Sequence, residues 1–140
     1  MLIDTIEDLR DIYERSPFNN FIGNKLEMLE EGHVVYSLKI EPHHKNVNQA
    51  VHGGVFFSIL DSVMGATVRS VTKQPITTIN SSINFFAPLR EGNQIFASSK
   101  VVQCGKSIVT AEGEIKDCNG TVLAKTIGTF KIIRLNKEKI

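Results

Sequence analysis

The chain lacks an excess of charge of either sign. Its 140 residues include 16 Lys and Arg against 15 Asp and Glu, for a formal net charge of +1 at pH 7. Nucleic-acid binding depends on clustered positive charge, and because no such cluster is visible we expect no nucleic-acid partner. The length fits one domain with its own core, and no repeat, low-complexity tract or linker divides it.

Motifs for metals and common cofactors are also missing. The two cysteines, Cys104 and Cys118, follow no metal-ligand spacing, and the adjacent His43 and His44 are expected in a solvated loop, so we reject a zinc site. There is no G-x-S-x-G, G-x-x-x-x-G-K-[ST] or G-x-G-x-x-G, which argues against a serine hydrolase, a nucleoside-triphosphate site and a dinucleotide fold. We therefore expect no metal and no cofactor.

Long hydrophobic runs are absent as well. The most apolar stretch, Val55 to Val68, includes Ser58, Asp61 and Ser62 and is too short to cross a bilayer. The first residues, MLIDTIEDLRD, are acidic, so we expect no signal peptide. These features favour a cytoplasmic protein with reduced thiols and no membrane association.

The first predicted element is an amphipathic helix over about residues 4–16, packed on the outside of the fold. Asp4 and Glu7 have the spacing of a capping box, and Pro17 ends the helix. Apolar residues recur inside it at helical spacing: Ile6, Leu9, Ile12 and Tyr13.

Strands are predicted on both sides of a central helix. A turn or short helix over 19–23 precedes strands over 26–30 and 34–40, and a polar loop covers 43–50. After Pro75 come strands over 77–86, 94–102, 107–116 and 121–133, with turns at Glu91-Gly92-Asn93, Gly105-Lys106 and Asn119-Gly120. Because short turns join these four strands, we expect an antiparallel meander.

The central helix runs from Gly53 to about Ser70 and is apolar over more than half of its circumference, so it should be buried on most sides. One antiparallel sheet curved around this helix satisfies both patterns. The predicted fold is therefore α+β, with a single domain over 1–140, a core over about 20–133 and a fraying tail over 134–140.

Two features of the central segment can carry chemistry. Gly53-Gly54, after His52, places free N–H groups at a helix start, where they can bind an oxygen that gains negative charge; alternatively, the glycines only permit a tight entry into the helix. Asp61 interrupts the apolar run and is a candidate general base or nucleophile, or else a polar residue bonded to a neighbour.

Their separation adds a constraint. Eight residues of helix between Gly53 and Asp61 correspond to a rise of roughly 12 Å. Two groups that act on one carbonyl should each lie about 3 Å from it. If they cooperate, Asp61 must come from a second copy of the chain, with the two helices antiparallel about a two-fold axis near Phe57. The chemistry would then require a homodimer.

Other residues near this segment allow two interpretations. His52 can orient substrate or act as acid or base, or it can make a structural hydrogen bond. Asn46 and Gln49 can bind a water or a carbonyl, or face solvent. Four side chains can line a pocket, although a core position is favoured for each: Phe56, Phe57, Met64 and Phe85.

The motifs taken together resemble the hotdog-fold acyl-CoA thioesterases, in their PaaI-like, phenylacetate-pathway branch. The similarity rests on Asn46, His52-Gly53-Gly54 and Asp61, then on Asn84-Phe85-Phe86-Ala87-Pro88 with Gly92 beyond, and on DCNGTVLAKTIGTF. It covers about residues 20 to 133 and agrees with the predicted order of elements.

This resemblance implies the following fold, assembly and roles. A sheet wraps the central helix, and two subunits join edge to edge in a homodimer and further in a homotetramer. The Gly53 N–H polarises the thioester carbonyl of an acyl-CoA, while Asp61 of the facing subunit activates water or attacks directly. Asn46, His52 and a strand residue assigned to Thr78 assist in catalysis.

The resemblance also bears on substrate binding. Arg90 and Lys106 are candidates to bind the CoA phosphates, because Ala87 replaces a basic residue found in many relatives. Gly54 and Gln49 complete the predicted substrate site.

Two alternatives to hydrolysis stay open. A hotdog dehydratase or hydratase would act on similar thioesters, but its His and acidic signatures are not found here. A non-catalytic acyl-CoA sensor would need a DNA-binding segment, whereas the N-terminal piece is a single acidic helix. The acyl group itself is not specified by the sequence.

Overall fold

The computed structural model describes residues 5–90 and 92–134. Asp4, Glu91 and the predicted tail beyond Arg134 lie outside these ranges. The elements in chain order are α1 (Ile6–Glu14), α2 (Pro17–Ile22), β1 (Lys25–Glu30), β2 (His33–Lys39), a 3₁₀ turn (Pro42–His44), α3 (Gly53–Thr72), β3 (Ile76–Phe85), β4 (Gln94–Cys104), β5 (Ile108–Lys116) and β6 (Val122–Ile132). The predicted order of helices and strands is confirmed.

The described strands form one antiparallel sheet in the order β1-β2-β4-β5-β6-β3. The predicted meander is right for β4, β5 and β6 but wrong for β3, which pairs with β6, while β4 pairs with β2. A tight turn forces successive strands to pair, but the connection over 86–93 is long and contains Pro88. It carries the chain from one side of the sheet to the other, so β3 lies at an edge.

Helix α3 packs on the inner face of the sheet and contacts every strand. Ile59, Val63, Met64 and Val68 on α3 are fully buried there. At 20 residues and a mean hydropathy of 1.2, α3 is longer than its apolar run and could span a membrane by length and composition alone. Because 61% of that stretch is buried inside the protein, α3 is the core helix of the fold.

The N-cap of α1 is Thr5, one residue later than the predicted cap Asp4. Thr5 accepts a hydrogen bond from the Asp8 N–H at 3.1 Å and donates its own N–H to the Asp8 carboxylate at 3.2 Å, so the capping box is Thr5–Asp8. Pro17 follows the end of α1 but is also the first residue of α2, capped by Ser16. The two helices together pack against α3.

Candidate active site

Asn46 shapes the loop that leads into α3. Its N–H donates to the Ala50 carbonyl at 2.7 Å, and its side-chain oxygen accepts from the N–H groups of Asn48 (2.8 Å) and Ala50 (3.2 Å). Gln49 lies exposed in this loop at a left-handed φ of 63°, a conformation that residues other than glycine seldom adopt. The predicted site residues Asn46 and Gln49 therefore belong to a hydrogen-bonded turn that precedes the start of α3.

The expectation that His44 lies in a solvated loop is wrong. His43 is exposed, but His44 is only 1% exposed. Its Nδ1 accepts the Glu41 N–H at 2.9 Å, so the ring proton is on Nε2, which donates to the Ile22 carbonyl at 2.6 Å. The His44 carbonyl in turn accepts the His52 N–H at 2.8 Å. Sequence reasoning missed this anchor because a buried histidine in a polar loop has no periodic signal.

The start of α3 leaves one N–H available. His52 Nδ1 accepts the Gly54 N–H at 2.8 Å, so that group is already bonded. Within the described ranges the Gly53 N–H has no acceptor. A Cβ on Gly53 would lie 3.4 Å from the ring of Phe85, which lines the same cavity as Gly53. The positive end of the α3 dipole adds to the field there, so Gly53 can polarise a bound oxygen.

Asp61 is held by the strand that follows its helix. The Thr78 hydroxyl donates to Asp61 Oδ1 at 2.9 Å, and residue Asp61 as a whole is half-buried. Thr77 pairs with Lys131 on the opposite face of the sheet, so Thr78 is the threonine that lies against the helix. The structure thus brings two predicted site residues together within one chain.

Gly53 and Asp61 belong to two separate cavities. The cavity at Gly53, of about 290 Å³, is bounded by Phe56, Phe85, Phe86 and Pro88. The cavity at Asp61, of about 370 Å³, is bounded by Thr78, Ser62 and Gly65 and by residues of α1 and α2. One chain therefore does not bring the helix start and the carboxylate together, in agreement with their roughly 12 Å separation along α3.

Helix α2 is fixed beside Asp61 by a buried asparagine that sequence reasoning did not identify. Asn19 is 5% exposed, and its side-chain oxygen accepts from the Ser62 hydroxyl at 2.9 Å and from the Asn24 amide at 3.1 Å. A buried amide must be hydrogen-bonded, so these contacts hold α2 against the helix that carries Asp61. Polar residues in a short loop-like segment such as PFNNF give no sequence signal of burial.

Tyr13 of α1 forms another wall of the Asp61 cavity. The pKa of its hydroxyl is raised to about 12, chiefly by burial; the positive charge of Arg69, to which the hydroxyl is hydrogen-bonded, opposes this rise, and the Asp61 charge adds a smaller increase. The Tyr13 hydroxyl therefore keeps its proton at neutral pH. The α1 helix, predicted to pack on the outside, is part of the candidate site.

The two candidate phosphate ligands, Arg90 and Lys106, lie towards opposite ends of β3. Arg90 follows β3 on the side of Phe85 and Gly53 and is exposed. Lys106 is exposed in the β4–β5 turn, next to Ser107, whose carbonyl accepts the Ile132 N–H. Ile132 pairs with Ile76 at the other end of β3, nearer the Asp61 cavity. Each cation is thus associated with a different half of the site.

The free edge of β3 carries no charged residue. β3 has ten residues without Lys, Arg, Asp, Glu or Pro, whereas the other edge strand, β1, contains Lys25, Glu27 and Glu30; both edge strands have one register shift. Charged side chains on an edge strand are a usual means of preventing edge pairing. Phe57 and Phe85 are 40% and 53% exposed, so the core position favoured for them is wrong, although Phe56 and Met64 are buried. These apolar side chains and the bare edge are suited to a second copy of the chain.

Comparisons with known proteins identify the family of this chain. The profile of the thioesterase superfamily matches residues 48–124, more than half of the chain. A Thermoplasma acidophilum protein named "Putative esterase Ta0293" is 30% identical over 131 residues, covering 91% of this chain and 97% of that one. Human acyl-coenzyme A thioesterase 13 is 23% identical over 78 residues, 55% of this chain and 56% of the relative.

A solved structure shares the whole architecture. The Escherichia coli PaaI protein of the phenylacetic acid degradation operon superposes with a TM-score of 0.85 at 22% identity, covering 91% of this chain and 92% of PaaI. The predicted hotdog fold, one sheet wrapped around one helix, is confirmed. This chain belongs to the thioesterase superfamily, with the hotdog fold of its PaaI-like members.

Proposed function

We propose that this protein hydrolyses acyl-CoA thioesters at a site built by two copies of the chain. The observation that carries the proposal is the unbonded Gly53 N–H at the positive start of α3. Such a donor stabilises the oxygen that becomes negative when a thioester carbonyl is attacked. The acyl-CoA part of the proposal is supported by the relative named as an acyl-coenzyme A thioesterase.

The second copy supplies the carboxylate. Pairing of β3 with β3 of another chain would continue the sheet and cover the exposed Phe57 and Phe85. It would also place Gly53 of one copy opposite Asp61 of the other, which the separation of the two cavities requires. A homotetramer of two such dimers would follow the resemblance to PaaI-like proteins.

Asp61 then acts on the bound thioester in one of two ways. As a base it takes a proton from the water that attacks the carbonyl; as a nucleophile it forms an anhydride that water later cleaves. In both cases the carbon–sulfur bond breaks and CoA leaves as the thiol. Thr78 holds the carboxylate, and the loop of Asn46, Gln49 and His52 positions substrate and water. Arg90 from one copy and Lys106 from the other are the proposed ligands of the CoA phosphates.

A thiol-release assay on a panel of aliphatic and aryl acyl-CoA substrates tests this function. We expect wild-type turnover on at least one substrate, and a fall in kcat of about 10²–10⁴-fold in Asp61→Asn and Asp61→Ala. Asp11→Asn, an exposed acid on α1, is the matched control and should retain wild-type activity.

Thiol release, ligand binding and product analysis on the same substrate panel together separate the alternatives. Wild-type turnover by folded Asp61→Ala would rule out the mechanism. Binding of acyl-CoA without thiol release would instead indicate a sensor, and conversion of the acyl chain with CoA still attached would indicate a dehydratase or hydratase.

A further inference from the structure

Gly65 lies one helical turn beyond Asp61, on the same face of α3. It is buried and bounds the Asp61 cavity. A Cβ on Gly65 would lie 3.7 Å from Ile76 Cδ1 and 3.9 Å from the Tyr13 hydroxyl oxygen, which are ordinary van der Waals contacts. An alanine would therefore fit at this position.

Neither the backbone nor the packing accounts for this glycine. Glycine is less favourable than alanine inside a helix, and Gly65 does not adopt a positive φ that would require it. Gly113 and Gly128 differ, because a Cβ there would lie 3.2 Å from Leu60 and 2.9 Å from Met64. Those two glycines permit close packing of the sheet on α3, whereas Gly65 leaves space that a methyl group would fill.

We propose that Gly65 sets the depth of the pocket for the acyl group, as a specificity-determining residue. This inference rests on the proposed function, with the thioester held at Asp61. Four residues of helix correspond to a rise of roughly 6 Å, so an acyl group must extend about that far past Asp61 to reach Gly65. An acetyl group is too short to do so, while a six-carbon chain or an arylacetyl group reaches it.

The walls of this pocket are partly apolar. Ile76 from the start of β3 and Phe18 from α2 are apolar, while polar residues also line it: Ser16, Asn19, Ser62 and Thr77. The Tyr13 hydroxyl lies 3.9 Å from the position of a Gly65 Cβ. The void thus lies between α3, β3 and the two N-terminal helices, with Gly65 at its base as the lining residue of α3 farthest along the helix from Asp61.

The test compares kcat/KM for hexanoyl-CoA and acetyl-CoA in matched variants. Gly65→Ala adds a methyl group at the base of the pocket, and we expect the hexanoyl-to-acetyl ratio to fall by about tenfold, with a larger fall in Gly65→Val. Ile76→Val removes Cδ1, the atom nearest to the position of a Gly65 Cβ, and should raise the ratio. The double variant with Gly65→Ala and Ile76→Val should return the hexanoyl-to-acetyl ratio towards the wild-type value. The midpoint of thermal unfolding of Gly65→Ala should rise by about 2–4 °C, which shows that lost turnover is not lost folding.

Binding of non-hydrolysable hexanoyl- and acetyl-CoA thioethers gives a second readout that does not need turnover. An active wild-type enzyme with an unchanged ratio in Gly65→Ala and Gly65→Val would overturn the role of Gly65 and leave the proposed hydrolysis intact. Size-dependent loss of thioether binding in a protein that releases no thiol would overturn hydrolysis but support the pocket. Absence of both binding and turnover would overturn both.

Discussion

The hydroxyl of Thr78 and the carboxylate of Asp61 are joined by a 2.9 Å hydrogen bond that connects the edge strand to the central helix. The bond uses one acceptor site of Oδ1, and no bond to Oδ2 is found among the described residues, so Oδ2 is open to accept a proton from water or to attack a carbonyl carbon. β3 is also the edge strand without charged residues. A second chain that pairs with this edge would fix the position of β3 and, through Thr78, the orientation of Asp61.

Removing this bond should impair catalysis more than substrate binding. Thr78→Val keeps the shape and the β-branched side chain but cannot donate, and a hydrogen bond to a charged group is worth about 1.5–3 kcal/mol. We expect kcat for acyl-CoA hydrolysis to fall by roughly 10–100-fold with little change in KM.

Thr110→Val on β5 provides the control, since Thr110 is half-buried in a strand and does not bound either cavity. Equal losses in both variants would assign the effect to the sheet, and an unchanged kcat in Thr78→Val would exclude a positioning role for the hydroxyl.

The sequence predicted those parts of the fold that depend on local pattern. The start of α3 at Gly53, the burial of Tyr36 and Leu38 on one face of β2, and the turn at Asn119-Gly120 are all confirmed. Gly120 has a φ of 83°, and the buried Asp117 carboxylate accepts two backbone N–H groups in that turn. In each case the spacing of apolar residues or the chemistry of a short turn decides the structure.

The parts that the sequence did not predict depend on contacts between distant residues. The pairing of β3 with β6 follows from the path of a long connection, and no local pattern encodes it. His44 reaches the Ile22 carbonyl, and Ser62 reaches Asn19, across 22 and 43 residues. Burial of such polar side chains is stable only because their partners arrive from elsewhere in the fold.

Alkaline unfolding should report the environment of Tyr13. Its pKa of about 12 in the folded protein exceeds the ordinary value of 10, so stability is unaffected below pH 10 and falls as the pH rises from 10 to 12, where the unfolded chain loses the proton first. The expected slope is about 1.4 kcal/mol per pH unit. In urea unfolding at pH 9 to 12, Tyr13→Phe should lose less unfolding free energy with rising pH than the wild-type protein.

Tyr36 is the other tyrosine, and burial raises its pKa as well. Tyr36→Phe therefore isolates Tyr13, and because the chain has no tryptophan, ultraviolet absorbance reports tyrosinate directly. Ionisation of Tyr13 near pH 10 in folded Tyr36→Phe protein would contradict the burial argument.

The shared site can be tested with two inactive variants. Gly53 is the first residue of α3, where proline is tolerated, and His52 has a ψ of 136°, as a residue before proline requires. Gly53→Pro therefore removes the N–H while preserving the helix, and we expect activity to fall by about 10²–10³-fold. Gly53→Ala keeps the N–H and should lose less, although its methyl group contacts Phe85 at 3.4 Å.

Co-expression of Gly53→Pro with Asp61→Ala then distinguishes the two geometries. In a mixed dimer one site has both substitutions and the other has neither, because each site takes its N–H from one copy and its carboxylate from the other. Random pairing should restore roughly a quarter of the wild-type activity, while each variant alone stays inactive. Purification on two different affinity tags isolates the mixed dimer, which should have about half of the wild-type activity per dimer. An inactive mixed dimer would show that Gly53 and Asp61 act within the same chain, against the separation of their cavities.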